Sequence, residues 1–272
     1  MYVTGGRVAG DRVAVISPHL DDAVLSAWLV LVEAPQARVI TCFAGIPGGP
    51  GRRGWWDERT GGLSPAAAVA ARRAEDIRAL ALTGSEPVHL DLLDGQYRDG
   101  RDAARAGLVR LLRHHLVDAA EVWLPAAIGG HPDHVAARDG ALAATRPGQR
   151  VRIYADLPYA GQPGWPVDVT RAPRDLAVQC YLSLMRRPGS AREWRSALEG
   201  AGIRADRCHR WVRKLSRSQF HRKRAAVHQY GSQLDALRCG PRHPLRERRL
   251  FAYEVHWALE HQLAPATGRL AG

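Results

Sequence analysis

Val13-Ala14-Val15-Ile16-Ser17-Pro18-His19-Leu20-Asp21-Asp22 passes within one short stretch from apolar, mostly β-branched residues to a histidine and two adjacent carboxylates. The segment Arg12 to Ile16, apolar from Val13 on, reads as a buried strand, and the apolar residues Ala23 to Val32 behind it suit a helix. The polar cluster therefore sits on a strand-to-helix turn. A second cluster, His131-Pro132-Asp133-His134, stands in the same relation to a later apolar run, Glu121 to Ala126.

Between and beyond the two clusters the pattern repeats. Val39 to Phe43, Val88 to Leu92 and Val151 to Leu157 read as strands. Pro65 to Leu82, Ala103 to Val117 and a segment ending at Ala144 read as helices. Ser64 is placed to cap the first of these, with Pro65 at its first position and Gly84 just past its end. Strands alternating with helices at this spacing imply a Rossmann-like, doubly wound α/β fold with a mainly parallel sheet and helices on both faces. With strand order 3-2-1-4-5 the winding reverses between the first and fourth strands, and both clusters fall at that switch point.

Beyond Tyr159 the pattern weakens. Leu176 to Met185 and Ala191 to Ala201 read as helices, Ser218 to Ala236 as one long basic helix and Leu250 to Trp257 as a late strand. No linker or repeat is visible. The expectation is a single domain over 1–272, with a core of about 12–160 and a C-terminal elaboration over 161–272. A Gly- and Pro-rich loop from Ile46 to Leu63 carries Trp55 and Trp56, whose faces could stack on a sugar ring or pack the loop onto the body.

Composition narrows the class. The 272 residues suffice to bury a full core, and no run of apolar residues is long enough to span a bilayer. No secretory signal pattern is present at the N-terminus, and the cysteines Cys42, Cys180, Cys208 and Cys239 show no CxxC pairing. A cytoplasmic protein with reduced thiols is expected. The formal net charge of +12 favours anionic partners. Yet Lys214 and Lys223 are the only lysines, and the Arg, Ala and Gly excess is what coding bias in a GC-rich genome, actinobacterial among others, produces. No nucleic-acid reader motif accompanies the charge, so no specific nucleic-acid partner is expected.

The clusters carry the chemistry. His19 and Asp22, three residues apart on a turn, can face one centre, and His134 can supply a third ligand. Two histidines and a carboxylate with an open position make a catalytic zinc arrangement, although iron, cobalt or manganese would accept the same donors. Asp21 would stand beside the metal, placed to take a proton from water whose pKa zinc lowers to about 7. His131, just before the helix opened by Pro132, would stabilise an oxyanion or protonate a leaving amine, and Asp133 would orient one of the histidines. The plain alternative is that the carboxylates cap helices and the histidines are structural.

Pro18-His19-Leu20-Asp21-Asp22 and His131-Pro132-Asp133-His134 resemble the two signatures of the PIG-L/LmbE-like zinc N-deacetylases. The similarity covers at least residues 12 to 160. It implies a Rossmann-like fold, one zinc ion per chain held by His19, Asp22 and His134, and Asp21 as general base. It further implies His131 as the electrostatic or acid group, oriented by Asp133. The substrate it implies is a small-molecule N-acetylated amino sugar, giving acetate and a free amine.

Arg72-Arg73-Ala74-Glu75 is similar to the family's arginine-plus-glutamate helix motif, which would put Arg72 on substrate. Surface pairs on an exposed helix face would give the same pattern. Asp94 falls where the family places a ligand to a sugar hydroxyl. Lys223 to Gln233 is similar to a helix common in the family. Arg217, Arg222, Lys223 and Arg224 could meet an acidic substrate or form a solvated face.

Departures from the family pattern are Leu20 in place of proline, Ala23 in place of glutamate, and Gly129 where some members carry a tyrosine. Two other classes remain open: hydrolysis of a different N-acyl group on a natural product, and a non-catalytic basic module that binds anions or nucleic acid.

Overall fold

The computed structural model describes residues 12–48, 53–59, 63–98, 103–161, 164–237 and 251–259. Strand β1 (Val13–Ser17) is wholly buried and runs into two short helices, α1 (Asp22–Ser26) and α2 (Trp28–Glu33). One helix was expected here; the break at Ala27 is held by the buried Glu254, whose carboxylate accepts the N–H groups of Trp28 and Leu29. Then follow β2 (Arg38–Thr41), α3 (Trp55–Arg59), α4 (Pro65–Ala81), β3 (Glu86–His89), α5 (Ala103–His115), β4 (Glu121–Pro125), α6 (Pro132–Ala144) and β5 (Arg150–Tyr154). The Ser64 hydroxyl caps α4 by accepting the Ala67 N–H, and Gly84 lies just beyond it with φ of 71°.

The sheet has the order β3-β2-β1-β4-β5, with all five strands parallel, as expected. The path steps one way from β1 to β3 and the other way from β3 to β5. Right-handed crossovers then put α1, α2 and α4 on one face and α5 and α6 on the other. Packing agrees: α5 lies on α6, and a later helix bridges α1 and α4.

The C-terminal region departs more from expectation. After α7 (Val167–Thr170), α8 (Pro173–Leu184) and α9 (Ser190–Glu199) comes an unforeseen strand, β6 (Cys208–Lys214). It pairs antiparallel with β7 (Tyr253–Leu259), which pairs antiparallel with β5, so the elaboration extends the core sheet. Arg210, Arg213 and Lys214 hid the half-buried side of β6, which packs Trp211 near His256 of β7. The long basic helix is also shorter than expected: α10 (Arg217–Val227) ends in a turn, and α11 (Leu234–Leu237) follows. Lys223 of α10 is no solvated cation. It is buried and paired with Glu254 at 2.7 Å. Leu250, Cys239 and the loop positions 49–52 and 60–62 lie outside the described residues.

Candidate metal centre

Strands β1 and β4 are adjacent, so their C-terminal turns meet, bringing His19, Asp21 and Asp22 against His131, Asp133 and His134. The first turn is built from its own residues. The Ser17 hydroxyl donates to the His19 carbonyl and accepts the Ala23 N–H, while Asp22 Oδ2 accepts the His19 N–H at 2.9 Å. Leu20 is buried, and its carbonyl accepts Gln233 Nε2 at 3.0 Å. The positions that depart from the family pattern thus take part in packing and backbone closure.

Asp22 Oδ2 stands 3.4 Å from His19 Nδ1 and 3.3 Å from His134 Nε2. Four ligands about 2.1 Å from a tetrahedral ion are about 3.4 Å apart, so these spacings suit zinc. His134 Nε2 is buried and makes no hydrogen bond among the described residues. A buried ring nitrogen left without a partner beside a carboxylate and a second histidine is what a metal ligand looks like without its ion. The donor set and its spacing therefore fit a metal.

A residue that the sequence reading missed completes this arrangement. Asp156, fully buried just after β5, takes His134 Nδ1 at 2.8 Å and the Ile128 N–H at 3.1 Å. Its carboxylate can only accept, so Nδ1 carries the proton and Nε2 presents its lone pair to the centre. Its place at the end of a third sheet strand beside β4 was the available signal.

Asp133 does not orient His131 through its side chain. Its carboxylate meets His19 Nε2 at 3.2 Å, accepts the Gly95 N–H at 2.9 Å and is gripped by Arg98. Contact with His131 runs through the Asp133 backbone N–H, which donates to His131 Nδ1 at 3.2 Å and makes His131 the cap of α6. That bond assigns His131 the tautomer with Nε2–H, a donor facing the cavity.

Electrostatics separate the roles further. Burial, reinforced by Asp22, pushes the Asp21 carboxyl up to about 7 against the pull of His19 and His134. Burial, with the neighbouring His19 and His134, brings His131 down to about 4, so it is neutral at pH 7. Burial opposes ionisation of Asp22 and Asp133. Around Asp22 the two histidines outweigh it, and around Asp133 the His19 bond, the Gly95 N–H and Arg98 do so; both carboxyls sit low.

Gly129 leaves room that Tyr159 fills. A Cβ on Gly129 would lie 3.4 Å from the Tyr159 ring, which packs 5.0 Å from His134 and 6.0 Å from His131, centroid to centroid. Arg72 is buried rather than on an exposed face. It holds Asp57 of α3 at 2.8 Å, and Tyr97 donates to the same carboxylate. Glu75 is buried too, accepting the N–H and hydroxyl of Ser232. The exposed ion-pair reading of this helix is therefore overturned. Asp94 caps a turn at Gly95–Tyr97 by accepting from the Gln96 backbone and side chain. Arg72, Asp94, His131 and Tyr159 border a cavity of about 1320 Å³, whose wall also includes Trp55 and Trp56. Trp55 is 57% exposed and meets Trp56 edge-on, so the pair forms an aromatic rim as well as packing the loop.

The family model described as PIG-L, GlcNAc-PI de-N-acetylase, matches residues 14–145, the span that holds both clusters. A relative of this chain is the 2'-N-acetylparomamine deacetylase of Streptomyces fradiae, 31% identical over 188 residues. That match covers 62% of this chain and 64% of the relative's length. Among solved structures, the zinc-inhibited form of teicoplanin deacetylase Orf2 is 27% identical, with a TM-score of 0.66 over 91% of this chain and 97% of that one. The A40926 pseudoaglycone deacetylase Dbv21 is 29% identical, with a TM-score of 0.62 over 91% and 96%.

Proposed function

We propose that this protein is a member of the PIG-L family and a zinc-dependent N-deacetylase that removes acetyl from an N-acetylated amino sugar of a natural product, giving acetate and a free amine. The observation that carries this reading is the meeting of His19 and His134 on Asp22, 3.4 and 3.3 Å from its carboxylate, with His19, Asp21 and Asp22 lining a cavity larger than one sugar. The deacetylase relatives, which act on aminoglycoside and glycopeptide scaffolds by name, support the substrate class.

His19, Asp22 and His134 would hold one zinc ion per chain, which supplies Lewis-acid polarisation of the acyl carbonyl and a water acidified to a pKa of about 7. Asp21 takes a proton from that water as it attacks the carbonyl carbon. An acceptor near pKa 7 suits this at neutral pH, because about half of it is ionised and that form is still basic. As negative charge builds on the carbonyl oxygen, the neutral His131 Nε2–H donates to it. The proton held on Asp21 then passes to the nitrogen, the C–N bond breaks, and the amine leaves neutral. Asp156 keeps the His134 lone pair on the centre, and Asp133 fixes His19. Arg72 and Asp94 contact the sugar from the cavity wall, with Trp55 and Trp56 along its rim. A small-molecule substrate and cytoplasmic residence complete the reading.

The test is acetate release from N-acetylglucosaminides and N-acetylated aminoglycosides against longer N-acyl analogues, with bound zinc measured in parallel. Asp21→Asn should retain zinc and lose nearly all turnover, while His134→Ala should lose both. Full activity in Asp21→Asn would remove the base assignment. Preference for a long acyl chain would replace deacetylation with a broader amidohydrolase activity.

A further inference from the structure

The net charge of +12 is confined to one part of the chain. Residues 161–272 hold 21 Lys and Arg against 9 Asp and Glu, whereas residues 1–160 hold 18 of each. The catalytic half is neutral and the elaboration carries the whole excess. Coding bias alone has no reason to spare the first 160 residues.

Helix α8 of the elaboration is apolar on two opposite sides. At 100° per residue, Val178 and Leu182 share the inward side with the buried Asp175, and both are half-buried. Leu176, Ala177, Cys180, Tyr181 and Leu184 fall on the opposite side. That side faces solvent: Leu176 is 53% exposed, Tyr181 61%, Leu184 76%, and Met185 just past the helix 49%. Among the described residues this outer side is uncovered, and exposed arginines stand at both ends of the stripe: Arg171 and Arg174 before it, Arg186 and Arg187 after it.

We propose that α8 is an interfacial helix that seats the protein on an anionic lipid bilayer, its outer stripe entering the acyl boundary and its flanking arginines meeting lipid phosphates. Apolar residues along one side of a helix, with Arg at its margins and an aromatic among them, are the composition that lies in a membrane surface. The stripe is the convex outer side of a helix, which a deformable lipid surface accepts without a preformed groove. A second copy of the chain is disfavoured, since it would bring two strongly positive regions together. The substrate cavity takes none of its lining from α8, so seating the helix leaves the catalytic groups unobstructed.

The test is flotation of the full chain with vesicles of phosphatidylcholine alone and of equal parts phosphatidylcholine and phosphatidylglycerol, at low and high salt. Binding is expected to the anionic vesicles only, and to weaken with salt. The double variant Tyr181→Ser/Leu184→Ser should reduce partitioning by more than about tenfold, as lost apolar burial in the acyl boundary requires. Arg186→Glu/Arg187→Glu should reduce it at low salt. These are exposed positions, and unchanged thermal unfolding and acetate release will show that the variants are folded. The proposal is overturned if the unaltered chain ignores anionic vesicles, or if the double serine variant binds them as tightly. It is also overturned if sedimentation finds a dimer that the serine variant dissolves, or if polyglutamate binds as tightly as the vesicles with the same sensitivity to the serines. Those outcomes would assign the stripe to charge alone, to a second copy or to an acidic protein.

Discussion

Asp156→Asn is the substitution that bears most directly on how the centre is held. The wild-type carboxylate receives two buried donors, His134 Nδ1–H and the Ile128 N–H, one on each oxygen. An amide offers one acceptor oxygen and one NH₂. If the oxygen keeps Ile128, the NH₂ faces His134 and forces Nδ1 to accept, which moves the ring proton to Nε2 and removes the metal's lone pair. If the oxygen keeps His134, the NH₂ opposes the Ile128 N–H and leaves a buried donor unpaired. Either way one hydrogen bond to a charged group is lost, worth about 1.5–3 kcal/mol. If that loss falls on His134, zinc affinity should drop about 10- to 100-fold, the range seen when outer partners of metal ligands are removed. Zinc affinity measured by competition with a chromogenic chelator reads the first route, and urea unfolding of the metal-free protein reads the second. A variant with both zinc affinity and metal-free stability unchanged would refute the tautomer argument, because no amide orientation satisfies both donors.

Three further expectations follow from buried contacts. Tyr159→Phe keeps the ring packing against Gly129, His131 and His134 but removes the hydroxyl. If that hydroxyl supports the reacting carbonyl, kcat falls about a hundredfold with zinc affinity intact, whereas unchanged kcat leaves Tyr159 a packing residue. Arg72→Ala leaves Asp57 buried with only neutral donors, costing about 3 kcal/mol. Faster proteolytic cutting within residues 53–59 together with a raised KM is the expected result, and a raised KM without faster cutting would instead mean that Arg72 acts on substrate alone. Glu254→Gln strands the buried Lys223 and removes the acceptor charge at the start of α2. Urea unfolding should show a loss of about 3–5 kcal/mol, with Lys223→Met milder because Glu254 keeps two backbone donors.

The parallel core was legible because its signals are local. A buried parallel strand announces itself as an apolar run, and a polar cluster at its end marks the turn into a helix. Strand order then follows from the handedness of crossovers, which is why His19 and His134 could be brought together before any coordinates. What escaped was decided between elements. Strand β6 carries Arg210, Arg213 and Lys214 with only Trp211 and Val212 between the arginines, so its pattern resembled surface until β7 supplied the other side. Lys223 read as one more cation on a basic helix, and only Glu254, far along the chain, shows why it is buried.

The same division runs through the centre itself. Residue type and spacing pointed to His19, Asp22 and His134 as candidate ligands, to Asp21 beside them and to the strands that carry them, since these lie within two short motifs. Tertiary structure decided their partners: Asp156 behind His134, Asp133 against His19 instead of His131, and Tyr159 in the space beside Gly129. The physical reason is that a hydrogen bond's direction and a carboxylate's burial depend on groups brought from other strands and loops. No local pattern in a sequence encodes which of two histidines a carboxylate will face.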